Sequence, residues 1–248
     1  MTRLLSSLIS CLILGAAMSC ALQGAPLCVA QPYSNFLAAG FECEINAAVF
    51  SNFSFSSMDS GPNTALDASQ ITVSPLSSAS SVGLRFAAAF DASGGANGPG
   101  PAQGIFIEAY RFLYQVTRAD SEFVSTTVRL NNPTRFSPNP AKFGGVLSGK
   151  VISNDGATAI VDDQDVGLTD TGILNTPRTT IFVDELLQLS GGASAMGTVA
   201  PVGNVTLESS DNLFTYQLVV PEPSTWLLCL LGSAAFLFLS LKQKYRCR

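Results

Sequence analysis

Residues 49–219 break into short runs rich in β-branched and aromatic residues, separated about every ten residues by Ser, Pro, Gly and Asn. No other feature of the chain limits its fold so strongly. Val49-Phe50-Ser51-Asn52-Phe53-Ser54-Phe55-Ser56 alternates Phe with Ser or Asn from Asn52 onward, which predicts a strand with Phe53 and Phe55 on one buried face. Further strands are predicted over 71–73, 83–90, 105–116, 123–130, 157–161, 179–183, 205–208 and 214–219. Residues 141–150 are Gly-rich and stay open between strand and loop. Asn154-Asp155-Gly156 is a tight-turn signal, because Asp and Gly tolerate the left-handed backbone a hairpin needs. No amphipathic helix period is found in the body; residues 184–189 have room for one helical turn at most. The expected fold is all-β, an antiparallel β-sandwich over residues 22–219, and about 200 residues suffice for one such core.

The two ends read differently from the body. Arg3 is followed by an apolar run over 4–18 and then small residues, the order of a secretory signal peptide over residues 1–21. Ser19-Cys20-Ala21 and Cys28-Val29-Ala30 both place small residues suited to cleavage, so the cut could lie as late as residue 30. Ala17-Met18-Ser19-Cys20 is a weak lipobox and leaves a lipoprotein as an alternative. At the other end, Val220-Pro221-Glu222-Pro223-Ser224 precedes an apolar run over 225–241. Residues 224–241 carry no charge and as a helix would be roughly 27 Å long, just enough for a bilayer's hydrocarbon layer. Residues 242–248 follow with Lys242, Lys244, Arg246 and Arg248, a cluster that holds its end on the cytoplasmic side. The two prolines keep the segment before the membrane extended, a shape suited to an enzyme groove.

This order of motif, short span and basic tail over 220–248 resembles the PEP-CTERM sorting signal of Gram-negative bacteria, a tail also labelled the ice-binding protein C-terminal domain. The resemblance implies an exosortase, a membrane cysteine transpeptidase, as processing partner in the inner membrane, and release toward the cell surface or the extracellular polysaccharide matrix. Ser51-Asn52-Phe53-Ser54, and Ile181-Phe182-Val183 followed by Gly191-Gly192-Ala193-Ser194, look like segments of other bodies carrying this tail. Those bodies imply no particular activity.

Composition narrows what the body can do. It contains no His, which removes Ser-His-Asp and Cys-His catalysis and His-containing zinc sites. Residues 22–220 hold 17 Asp and Glu against 8 Lys and Arg, so nucleic acid is not an expected partner. Cys28 and Cys43 are the cysteines of the exported body and could close a disulfide in an oxidising compartment, provided the leader is cut before Cys28. A carboxylate pair drawn from Glu108, Glu122, Asp184 and Glu185 would suit glycoside hydrolysis, but these read as solvated edges and turns, and no enzyme activity is expected. Asp162, Asp163 and Asp165, with Asp155 and Asp170 nearby, are a weak calcium candidate without the EF-hand spacing, and read otherwise as an acidic hairpin loop. The Gly-rich segment 91–103 lacks the Gly-Lys-Ser/Thr ending of a phosphate cradle, so no cofactor is expected. Two functions follow: a non-enzymatic surface or matrix protein sorted by an exosortase, or a lectin-like or calcium-dependent carbohydrate-binding module on a plain C-terminal transmembrane helix.

Overall fold

A computed structural model of the 248-residue chain describes residues 24–60, 64–93, 106–136, 145–163, 165, 167–191 and 204–218. The expected leader over 1–21, the sorting motif 220–224, the span 225–241 and the basic tail 242–248 lie outside the described residues. Among those described, no helix is long and apolar enough to cross a membrane.

The described elements are strands apart from two short turns of helix. They are β1 (Gln31–Pro32), an α-helical turn (Tyr33–Phe36), β2 (Glu42–Ile45), β3 (Ala48–Asp59), a 3-10 turn (Ala68–Gln70), β4 (Thr72–Ser77), β5 (Ser81–Ser93) and β6 (Phe106–Arg118). They continue with β7 (Ser121–Asn131), β8 (Thr134–Phe136), β9 (Gly145–Ile152), β10 (Thr158–Asp162), β11 (Thr169–Arg178), β12 (Thr180–Gly191) and β13 (Asn204–Leu218). One sheet runs β10-β9-β12-β6-β3-β2 and the other β1-β4-β5-β13-β7-β11, with β8 beside β13. Every pairing between these strands is antiparallel.

The sheets meet face to face through aromatic rings. Phe86 of β5 and Phe112 of β6 stack with centroids 4.2 Å apart, and Phe90 meets Tyr110 at 5.1 Å. Tyr33, on the helical turn, is fully buried at the edge of this layer, with Phe86 and Phe112 at 5.7 and 5.5 Å. Each buried Phe contributes about 1.5–3 kcal/mol by leaving water. Cys28 and Cys43 are joined by a disulfide, Cα atoms 4.8 Å apart, that ties the N-terminal segment to β2.

Local departures from the expected pattern have physical causes. β3 carries a bulge between Ser51 and Ser54, with Asn52 at φ +55°. The extra residue lets Phe50, Phe53 and Phe55 all pack into the core, where strict alternation would have sent Phe50 outward. Residues 184–189 form no helical turn; they belong to β12, whose side chains alternate between buried and exposed along its length. Residues 145–150, left open above, are strand β9. The segments expected as two strands over 205–208 and 214–219 are, as far as the described residues reach, one strand, β13, running through the polar stretch Ser209-Ser210-Asp211-Asn212.

Candidate functional site

The chemistry-bearing residues brought together by the fold lie inside the sandwich. On β9, residues Val146, Ser148, Lys150 and Ile152 face inward, and on β12 so do Ile181, Val183, Glu185, Leu187 and Leu189. Lys150 and Glu185 thus sit directly opposite each other on neighbouring strands, both with no exposed surface. From the facing sheet, β13 presents Ser210, Asn212 and Phe214. Glu185 accepts hydrogen bonds from Ser148 Oγ at 3.0 Å, Ser210 Oγ at 3.0 Å and Asn212 Nδ2 at 2.5 Å. Lys150 Nζ donates to the Thr127 carbonyl at 2.7 Å and stands 4.5 Å from the centre of the Phe214 ring.

Three polar atoms around this cluster are buried without a hydrogen-bond partner: Asn212 Oδ1, Thr126 Oγ1 and Tyr114 Oη. Burial opposes charge on both titratable groups. It pulls the Lys150 ammonium well below the ordinary lysine range, against the opposing pull of Glu185. It pushes the Glu185 carboxyl upward, against Lys150 and its three side-chain donors. Each shift moves its group toward the neutral form, an amine beside a carboxylic acid, because taking two charges out of water costs several kcal/mol per ion.

The acids read from the sequence go to different places. Glu185 is at the centre of this cluster, and Glu108 is also buried, accepting from Tyr110 Oη at 2.6 Å. Neither is the solvated edge residue expected, because each shares the inward parity of its apolar strand neighbours. Glu108 pairs with Leu189 and Phe112 with Glu185 across β6 and β12, so the two carboxylates are set about 13 Å apart along the sheet, beyond the spacing of a glycosidase pair. Asp184 points to the opposite face from Glu185 and pairs with Arg111 at 2.6 Å. Glu122 lies on β7 opposite Gln217, away from these three in the pairing.

Within the acidic hairpin and its surroundings, Asp155, Asp165 and Asp170 each accept hydrogen bonds from the protein's own backbone. Asp165 accepts from the Asp162 amide at 2.9 Å and the Asp163 amide donates to the Val146 carbonyl. Asp155 binds the Asn175 and Thr176 amides and Arg178, and Asp170 accepts from the Ile160 amide at 2.7 Å. Among the described residues no three Cys, Asp or Glu side chains are grouped so that they could hold a metal ion. Sequence reasoning passed over Lys150, Ser148, Ser210 and Asn212. For Lys150 a signal existed: it has the same parity as Val146 and Ile152 in Val146-Leu147-Ser148-Gly149-Lys150-Val151-Ile152. Comparisons with protein-family models, with curated proteins and with solved structures find no match.

Proposed function

We propose that the chain is an exported surface or matrix protein without enzymatic activity, sorted and processed by an exosortase through its C-terminal signal. The observation that carries this reading is the fixed order at 220–248: Val220-Pro221-Glu222-Pro223-Ser224, an uncharged run, and Lys242, Lys244, Arg246 and Arg248. The all-β body supplies a rigid module suited to the envelope or to extracellular polysaccharide. Its disulfide between Cys28 and Cys43 fits an oxidising compartment. The leader at 1–21 feeds the export route, and the span at 225–241 anchors the body until processing releases it.

The test is fractionation of cells with and without the exosortase. Exosortase-deficient cells are expected to keep the full-length protein in the inner membrane, while cells with the enzyme release a shortened form. Equal release from both strains would refute the assignment.

A further inference from the structure

The buried cluster holds an amine, a primary carboxamide and a carboxyl group at one point of the core. They come from three strands of two sheets, β9, β12 and β13, and a covalent link between the amine and the carboxamide would tie β9 to β13. Asn212 touches Glu185 at 2.5 Å, a length within the O–H···O range and short for N–H···O. With the carboxamide turned over, an un-ionised Glu185 donates to Oδ1 and draws electrons from Cγ, and the oxygen now without a partner becomes the bonded one. Lys150 Nζ rests on the carbonyl of Thr127, which pairs with Leu213, and above Phe214, two residues along β13 from Asn212. Glu185 lies between the two, paired with Lys150 across β9 and β12 and hydrogen-bonded to Asn212.

We propose that Lys150 and Asn212 become joined by an intramolecular amide bond spanning the two sheets, with Glu185 moving the protons. The Nζ lone pair attacks Cγ of Asn212 while Glu185 gives its proton to Oδ1. As the tetrahedral centre collapses, the surplus proton of Nζ passes by way of Glu185 to Nδ2, the Cγ–Nδ2 bond breaks and ammonia leaves, and the Oδ1 proton returns to Glu185 as the Cγ–Oδ1 double bond re-forms. Glu185 ends as the acid it began as, and no electrons are exchanged with any other reagent. The surroundings suit the step. Fixed strands hold the reactants together, which replaces the entropy of a bimolecular encounter. The amine is held toward its neutral, nucleophilic form by burial. Phe214, Tyr114 and Phe50, all buried, exclude the water that would compete for Cγ. The inference rests on the core alone and stands or falls independently of the sorting signal.

Intact mass spectrometry of the full chain, reduced and denatured, tests it. The expected mass is one ammonia below that of the unlinked polypeptide with the same termini. A protease digest is expected to yield one branched peptide containing both Lys150 and Asn212. Recovery of the two peptides separately, each at its unmodified mass, overturns the proposal. Asn212→Asp keeps the shape of the side chain and is expected to lose one water in place of ammonia. Glu185→Gln is expected to remain unlinked; a branched peptide from that variant overturns the role given to Glu185. Because a variant can fail to fold, the unsubstituted chain decides the bond.

Discussion

Asp211 exposes none of its side chain although it lies on the outer face of its sheet, because Arg85 and Arg129, its partners on β5 and β7, close over it at 2.6 Å each. Burial raises its pKa, but the hydrogen bonds from the two guanidinium groups and Asn131 outweigh that and hold it below the ordinary value of 3.8. Asp155 behaves alike: burial is outweighed by the Asn175 and Thr176 amides and by Arg178. Both bind protons less readily in the fold than in the unfolded chain, so the stability they lend is present above pH 3.8 and lost as pH falls through their lowered values. Tyr33, Tyr110 and Tyr114 shift the opposite way, raised above 10.0 chiefly by burial. Their hydroxyls keep protons that an unfolded chain gives up, so stability is lost as pH climbs beyond 10.0. The urea midpoint is therefore expected to fall on both sides of a neutral plateau, and a midpoint unchanged from pH 8 to 12 would contradict the burial of these tyrosines. Which residues carry the interior chemistry was half legible. Glu185 shares the parity of Val183 and Leu187, but a carboxylate inside a sandwich is readable only once its donors on β9 and β13 are known.

At the scale of elements, the runs dense in Phe, Tyr, Ile and Val were legible because apolar and β-branched residues suit a half-buried pleat. The misses have a common cause: β2, β8 and β11 are short or polar edge segments, and their strand character comes from the neighbour they pair with. The middle of β13 reads as a loop and is held extended by side-chain partners on both faces, Glu185 on one and Arg85 with Arg129 on the other. The edges of the two sheets also touch. A Cβ on Gly172 of β11 would stand 2.1 Å from the Thr158 carbonyl of β10. Gly172→Ala is thus expected to cost about 1–3 kcal/mol by forcing this corner apart. Gly149→Ala, whose Cβ would make an ordinary 3.9 Å contact with Ile160, serves as control and should change stability by less than about 0.5 kcal/mol. Equal denaturation midpoints for the two variants would show that the corner is not close-packed.

For the whole molecule, the sandwich and the proposed terminal signals bear separately on the proposed route. The sandwich class was legible from strand rhythm and the lack of helical period, whereas the pairing order was not, since it depends on contacts far apart in sequence such as β3 with β6 and β5 with β13. The segment at Pro26–Cys28 bonds to Glu44 of β2 and carries half of the disulfide, so a leader cut after Ala30 would strip both from the domain. The proposed route accordingly needs a cut ahead of Cys28 at one end and processing near Val220-Pro221-Glu222-Pro223-Ser224 at the other. The most direct measurement is the non-reduced mass and terminal sequence of the protein released by an exporting cell that carries an exosortase. The account predicts a chain that begins before Cys28, retains the Cys28–Cys43 disulfide and stops at the motif. A chain running uncut from Met1 to Arg248, with both cysteines reduced and the body in the cytosol, would contradict it.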